Sequence, residues 1–390
     1  MLLLPHFDLF VHEKPRIEHV ASAALEAAPR SLTSAVNPRS AGGPHDFSSE
    51  GDYWWPDPAN PAGPYLQRDG LSNPDNFTAH RRLMIDMARD VGALAAAWKV
   101  TREERYATAA VRHLTAWFVD PATRMNPSLP YAQAIHGRST GRSTGVIDTL
   151  HLAEVALAVE ALRGSAALRP ETEVALTGWF RDYLQWMRTH PYGVDESRAE
   201  NNHGTCWTLQ AACFAHLVRN EAVLAECRRR LKEFHLPGQM AADGSFPQEL
   251  RRTKPYGYSI FNLDVITACA VVLSTPQENL MTWALPDGRS LVKGVAFLAP
   301  YLADKGAWLQ NVQRYNLTAA GPVLTGERVK PDVMYWDEWP VRQPSLLFGA
   351  LATGNPDWLA TWQRLEANPQ VPEVRRNFPI REPVLWVDLK

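Results

Sequence analysis

Several absences narrow what this 390-residue chain can be. Its four cysteines, Cys206, Cys213, Cys227 and Cys269, form no CxxC pair and no metal-ligand spacing. Cys206 and Cys213 fall in one helical stretch, about 10 Å apart along its axis, too far to bridge. All four read as small buried residues. Charge of one sign is missing too. A net charge of −2 offers no global field for nucleic acid or an anionic membrane. No stretch approaches the ~20 apolar residues of a membrane span. The opening MLLLPHFDLF lacks a basic leader region and is interrupted at Pro5, so no signal peptide is visible. On that basis the chain is either cytoplasmic or numbered after removal of a leader. Long alternating β patterns and fixed-period repeats are absent, as is a GxxxxGK[ST] phosphate loop.

Helical periodicity is plentiful. From about residue 76 onward, Phe77, His80, Leu83, Met84, Met87 and Val91 recur at three- and four-residue steps. Similar patterns occupy roughly 102–118, 145–163, 171–190, 201–218, 220–234, 259–274, 288–303, 342–353 and 355–366, separated by Pro/Gly/Asn-rich loops. The spacing predicts an all-α array of antiparallel hairpins, each helix burying one stripe in a shared core. No boundary of linker composition interrupts it, so residues 1–390 read as one domain, with 1–45 an extension of unassigned role. Two loop-rich regions stand out. Residues 38–75 hold seven prolines with Tyr53, Trp54, Trp55 and Tyr65, and 318–341 hold Tyr335, Trp336 and Trp339. The first is too aromatic for a disordered linker, and long loops kept in a compact protein are usually functional or firmly packed. The 14 Trp suit packing surfaces and flat platforms for sugar rings alike.

Three constellations carry chemistry. Glu200-Asn201-Asn202-His203-Gly204 opens a helix, placing two amides and a histidine at a positive dipole end, a good seat for a carboxylate. Its ordinary explanation is an asparagine cap beside a packing histidine. Gln248 to Ser259 gathers Arg251, Arg252 and Lys254 with Tyr256 and Tyr258 just ahead of an apolar helix, where an exposed basic loop would be the plain reading. Tyr131 to Gly145 contains Gln133, His136 and a tandem GRST bearing Arg138 and Arg142, which reads as a flexible Gly/Ser loop.

Together these pieces resemble the alginate-lyase family of toroidal polysaccharide lyases. The matching segments are YWWPDP (53–58), RDGLSNPDNF (68–77), MNPSLPYAQAI (125–135), GRSTGVIDT (141–149), NNHGTCW (201–207), ELRRTKPYGYSIFNLD (249–264), QPSLLFGAL and NFPIREPVLW, in order over about residues 50–390. The resemblance implies an incomplete (α/α) toroid with a groove across one face. It also implies Asn202, His203, Arg252 and Tyr258 as catalytic residues. Two departures mark a divergent branch: the Arg-to-Tyr spacing is one residue shorter than usual, and Gly204 stands where a large residue is expected. A periplasmic or secreted location follows from the resemblance alone.

The residue types suit β-elimination on a 1,4-linked uronic-acid polymer. Removing H5 leaves charge on a carbon beside the C6 carboxylate, so Asn202, His203 and Arg252 would stabilise the developing dianion. Tyr258 would be the base, its pKa lowered from about 10 by Arg252 or Lys254. In mannuronate and glucuronate H5 and O4 share a side, and one phenol takes H5 and returns a proton to O4. In guluronate they lie opposite, and His203 would be a separate base. Poly-mannuronate is the favoured substrate and glucuronan the alternative. Tyr131, Gln133, His136, Trp54, Trp55 and Tyr256 would line the groove, with Arg138, Arg142, Arg251, Arg252 and Lys254 as a cationic strip. No metal or cofactor is required. A toroid glycoside hydrolase would instead need two carboxylates about 5–5.5 or 6.5–9.5 Å apart, with Asp195, Glu196, Glu200 and Glu249 as candidates. A non-catalytic uronate-binding protein would keep the Trp platforms alone.

Overall fold

The computed structural model describes residues 7–308 and 340–387. The aromatic loop expected over 318–341 therefore lies outside the described residues, apart from its last two. Helices stand in two rows. In the inner row Ala79–Thr101 packs on Leu152–Ala161, which packs on Asn202–Leu217, then Pro255–Leu273, then Pro344–Thr353. Leu9–Leu25, Glu104–Phe118, Pro170–Thr189, Glu221–Arg230, Leu291–Ala303 and Pro356–Arg364 lie against this row from outside, completing an incomplete α/α toroid.

The two rows differ in sequence logic. The outer helix Glu104–Phe118 buries Tyr106, Ala107, Ala110, His113, Leu114 and Trp117, a single stripe. Four of the inner helices, and the second half of Ala79–Thr101, are buried on every side: residues 91–98, 152–159, 204–215, 259–270 and 343–351 are buried without a break. One stripe per helix thus holds for the outer row and the first half of Ala79–Thr101, because an inner helix is elsewhere flanked by neighbours as well as covered. Pro255–Leu273 even has the length and composition of a membrane span, contrary to the sequence expectation, with a mean hydropathy of 1.5 over its best window. Of that window 83% is buried inside the protein, as a core helix requires.

Local chemistry changes three of the sequence expectations. The helix expected from 259 begins at Pro255, since proline at the first helical position gives up an N–H that has no partner there anyway. Tyr256 and Tyr258 consequently sit within the first turn, not ahead of it. The helix expected over 145–163 divides into a 3-10 segment, Ser143–Thr149, and Leu152–Ala161. The GRST loop before it is docked, not flexible: a Cβ on Gly141 would lie 2.0 Å from the Pro130 carbonyl oxygen, and one on Gly145 2.6 Å from that of Ala132. The 38–75 region is tied down by two small sheets. Ser48–Glu50 pairs in parallel with Tyr131–Ala134, and Trp54–Trp55 pairs antiparallel with Leu66–Gln67. Leu9–Leu25, from the unmatched N-terminal stretch, packs on Ala79–Thr101 and Glu104–Phe118. All four cysteines are free and buried.

Candidate active site

The loops and helix ends on one face surround a cavity whose wall includes Asn202, His203, Arg252, Lys254 and Tyr258. Asn201 caps the Asn202–Leu217 helix, its side-chain oxygen accepting from the His203 amide at 3.1 Å. Asn202 donates to Glu249 twice, from its backbone N–H and from Nδ2, each at 2.8 Å. Burial pushes the Glu249 carboxyl above its usual range despite those bonds. His203 Nδ1 lies 2.6 Å from Glu196 Oε1. Burial works against the imidazolium, yet Glu196 outweighs it and the His203 pKa is raised above 6.5. Gly204 has a steric reason to follow the NNH: a Cβ there would stand 2.0 Å from the Ala199 carbonyl oxygen.

Across the cavity Arg252 Nη2 donates to Asp69 at 2.8 Å and to the Tyr258 hydroxyl at 2.7 Å, and the guanidinium lies 3.9 Å from the Tyr258 ring centroid. Tyr53 Oη is 3.1 Å from Tyr258 Oη. The sequence expectation of a depressed Tyr258 pKa fails. Burial and the neighbouring Tyr53 and Asp69 push it well above 10, and Arg252 offsets only part of that.

A chain of paired charges lines the floor. Asp52 accepts from Arg81 and from Arg376, each at 2.5 Å, and despite burial these two arginines hold it far below the ordinary carboxylate range. Arg376 also bonds Glu373 at 2.7 Å, and Lys254 pairs with Glu373 at 3.3 Å. Beyond Arg81, Asp148 accepts from Gln133 Nε2 at 2.8 Å, and Gln133 Oε1 accepts from Arg142 at 2.6 Å. Gln133 holds φ +50° while buried, a costly backbone conformation for a non-glycine that this polar cluster enforces.

Of the residues expected at the groove, Trp54, Gln133, Arg142 and Lys254 line the cavity. Tyr256 lines it too, but is 2% exposed and spends its hydroxyl on the Tyr301 carbonyl at 2.7 Å, so it offers no free oxygen. Five others lie outside the lining. Trp55 donates to the Leu71 carbonyl, and Tyr131 sits in the small parallel sheet against Gly42. His136 is exposed with its ring tilted against that of Tyr65, Arg138 bonds the Tyr65 carbonyl, and Arg251 is exposed. The carboxylates suggested for a hydrolase, Asp195, Glu196, Glu200 and Glu249, are also absent from the lining. The carboxylates that do line it are ion-paired: Asp52, Asp69, Asp148 and Glu373. Sequence reasoning missed Asp52, Asp69, Arg81, Glu373 and Arg376. The advance signal was that Asp69 falls inside a matched segment and that Asp52 and Arg376 each stand beside one.

A helical toroid whose cavity gathers Asn, His, Arg and Tyr around paired charges has the architecture of a polysaccharide lyase. Solved structures agree. An alginate lyase from Bacteroides ovatus matches with a TM-score of 0.77 at 28% identity, over 95% of this chain and 93% of that one. Alginate lyase A1-III from Sphingomonas species A1 matches at 15% identity and a TM-score of 0.54, over 88% of this chain and 89% of that one. A histidine-to-alanine variant of A1-III complexed with tetrasaccharide matches at 16% and 0.56, over 88% of each chain. A comparison with curated proteins finds no match. The alginate lyase family model matches residues 31–308, well over half of the chain. The chain belongs to the alginate lyase family and is a polysaccharide lyase.

Proposed function

We propose that the enzyme cleaves β-1,4-linked polyuronates, poly-mannuronate first among them, by syn β-elimination. The observation that carries this is the convergence of Asn202, His203 and Arg252 on the cavity that Tyr258 also faces, with Arg252 bonded to the phenol at 2.7 Å. Arg252 Nη1 and His203 Nε2 make no protein hydrogen bonds among the described residues, and the second Nδ2 hydrogen of Asn202 is likewise uncommitted. These donors would receive the C6 carboxylate and stabilise the charge that grows on it as H5 leaves. The Tyr258 oxygen takes H5, the C5–H electron pair becomes the C4=C5 double bond, the C4–O4 bond breaks, and the phenol returns its proton to O4. Because the phenol holds its proton tightly, phenolate is the minor form and turnover rises with pH.

The complex of the A1-III variant with tetrasaccharide supports an oligosaccharide occupying the corresponding cavity here. Glucuronate differs from mannuronate at C2, which the elimination does not touch, so glucuronan is the alternative substrate. A periplasmic or secreted location goes with a polymeric substrate. The test is ultraviolet absorbance of the unsaturated product during digestion of poly-mannuronate, poly-guluronate and glucuronan. Highest turnover on poly-mannuronate is expected. Release of saturated ends instead would overturn the elimination, and preference for poly-guluronate would overturn the syn geometry.

A further inference from the structure

Two carboxylates stand behind the cavity wall, Glu249 behind Asn202 and Glu196 behind His203. Glu196 is 3% exposed and lies on the short helix Pro191–Ser197, its Oε1 2.6 Å from His203 Nδ1. That helix is pressed close to its neighbour, since a Cβ on Gly193 would stand 2.2 Å from the Met187 carbonyl oxygen. The carboxylate is thus fixed by backbone packing. With Nδ1 committed, the opposite edge of the ring carries Nε2, which has no protein partner among the described residues.

We propose that Glu196 is a positioning residue that holds His203 as an imidazolium with Nε2–H turned to the cavity, a fixed cation for the uronate carboxylate that cannot serve as a base. This rests on the elimination proposed above and settles its stereochemistry. An imidazolium has no lone pair to accept H5, so only substrates whose H5 and O4 share a side, within reach of Tyr258, react efficiently.

The charge balance around the ring supports the assignment. Burial disfavours the cation, as do Arg252 and the positive end of the Asn202–Leu217 helix on which His203 sits. Against these stand Glu196 at 2.6 Å and Glu249 farther off. Nδ1–O separations this short are those of charge-assisted bonds. Without Glu196, every other nearby influence except Glu249 would favour the neutral ring.

The decisive experiment compares wild type with Glu196→Gln, which keeps an acceptor for Nδ1–H and removes only the charge. In wild type kcat/KM on poly-mannuronate should rise with pH as phenolate forms, then flatten where His203 loses its proton. In the glutamine variant that break should move to lower pH, and the plateau should fall about tenfold for each pH unit of movement. The ratio of poly-guluronate to poly-mannuronate turnover should rise, because a neutral Nε2 becomes available as a base. A folded variant with an unmoved break would overturn the proposal. Nitrogen-15 resonances of His203 in wild type read the same property without any variant, and a neutral ring at neutral pH would overturn it equally. If wild type forms no unsaturated product from any polyuronate, the substrate reading fails instead, while the resonances still decide the state of the Glu196–His203 pair.

Discussion

Tyr258 Oη takes a hydrogen bond from Arg252 and shares another with Tyr53, so replacing it by phenylalanine removes one oxygen and leaves the ring stacked under the guanidinium. Tyr258→Phe should therefore lose at least about 10²–10⁴-fold in turnover, the range general acid–base groups contribute. Binding of a uronate oligosaccharide and the melting temperature should stay near wild type. Turnover close to wild type would reject the base, and Tyr256 could not replace it because its hydroxyl is spent on Tyr301. Arg252→Ala and Asn202→Ala should lower kcat more than they raise KM, because their bonds strengthen as charge develops. A change confined to KM would mean uniform substrate binding. Asn202→Ala should also cost about 1–3 kcal/mol of stability, since it strips a buried Glu249 oxygen of its donor. The candidate catalytic residues were legible because NNH and the Arg-to-Tyr run are contiguous in sequence. Their supports were not: Asp69 and Glu249 become partners only when distant segments fold together, and Glu196, seven residues before His203, meets it only because a separate short helix folds back onto the ring. Arg138 and Arg251 show the converse failure, since a basic run does not tell which cations face inward.

Helix positions were readable from periodicity, while the layering was not, since an inner helix such as Pro255–Leu273 carries no stripe to orient it. The inner row carries a cost that the sequence does not advertise. Glu154 on Leu152–Ala161 is fully buried, and its Oε2 accepts from the amides of Arg381 and Glu382 and from Trp386 Nε1. This fastens the C-terminal segment that follows Glu373 and Arg376, so a core carboxylate helps to hold the cavity floor. Asp264 on Pro255–Leu273 likewise accepts from the Ser345 amide at the start of Pro344–Thr353. Burial raises both carboxyls to about 7, from 4.5 for Glu154 and 3.8 for Asp264. With folded pKa values above the unfolded ones, the native state binds more protons through that window. Stability is then fully present below the unfolded values and is lost as pH rises to about 7, on the order of a few kcal/mol per group. Denaturant midpoints should accordingly fall as pH rises from about 4 to about 7 and level off above it, and Glu154→Gln should flatten part of that slope. A variant with the wild-type slope would remove Glu154 from the account.

At the scale of the whole molecule, a net charge of −2 cannot draw in a polyanion, so attraction depends on where uncompensated cations stand. The strip expected from sequence comprised Arg138, Arg142, Arg251, Arg252 and Lys254, and folding dismantles most of it. Arg252 and Lys254 are neutralised locally by Asp69 and Glu373, while Arg138 and Arg251 lie outside the cavity lining. Among the described residues, Arg142 is the cavity-lining arginine or lysine with no ion pair: it donates to Gln133 and lies over the Trp54 ring at 5.8 Å. Burial lowers its pKa, with Asp148, Glu196 and Asp52 only partly compensating, as for a cation short of a counter-ion. A uronate carboxylate beside the reacting sugar would supply one. KM on a cleaved polymer should therefore rise with ionic strength, since charges are screened beyond about 8 Å at physiological salt, while kcat at saturation changes little. Arg142→Gln should raise KM about tenfold or more at low salt, the loss expected for a hydrogen bond to a charged group. The same variant should abolish most of the salt dependence, whereas Arg138→Gln and Arg251→Gln should leave it in place. If Arg142→Gln retains the wild-type salt slope, the attraction comes from elsewhere on the surface and Arg142 serves only to hold Gln133.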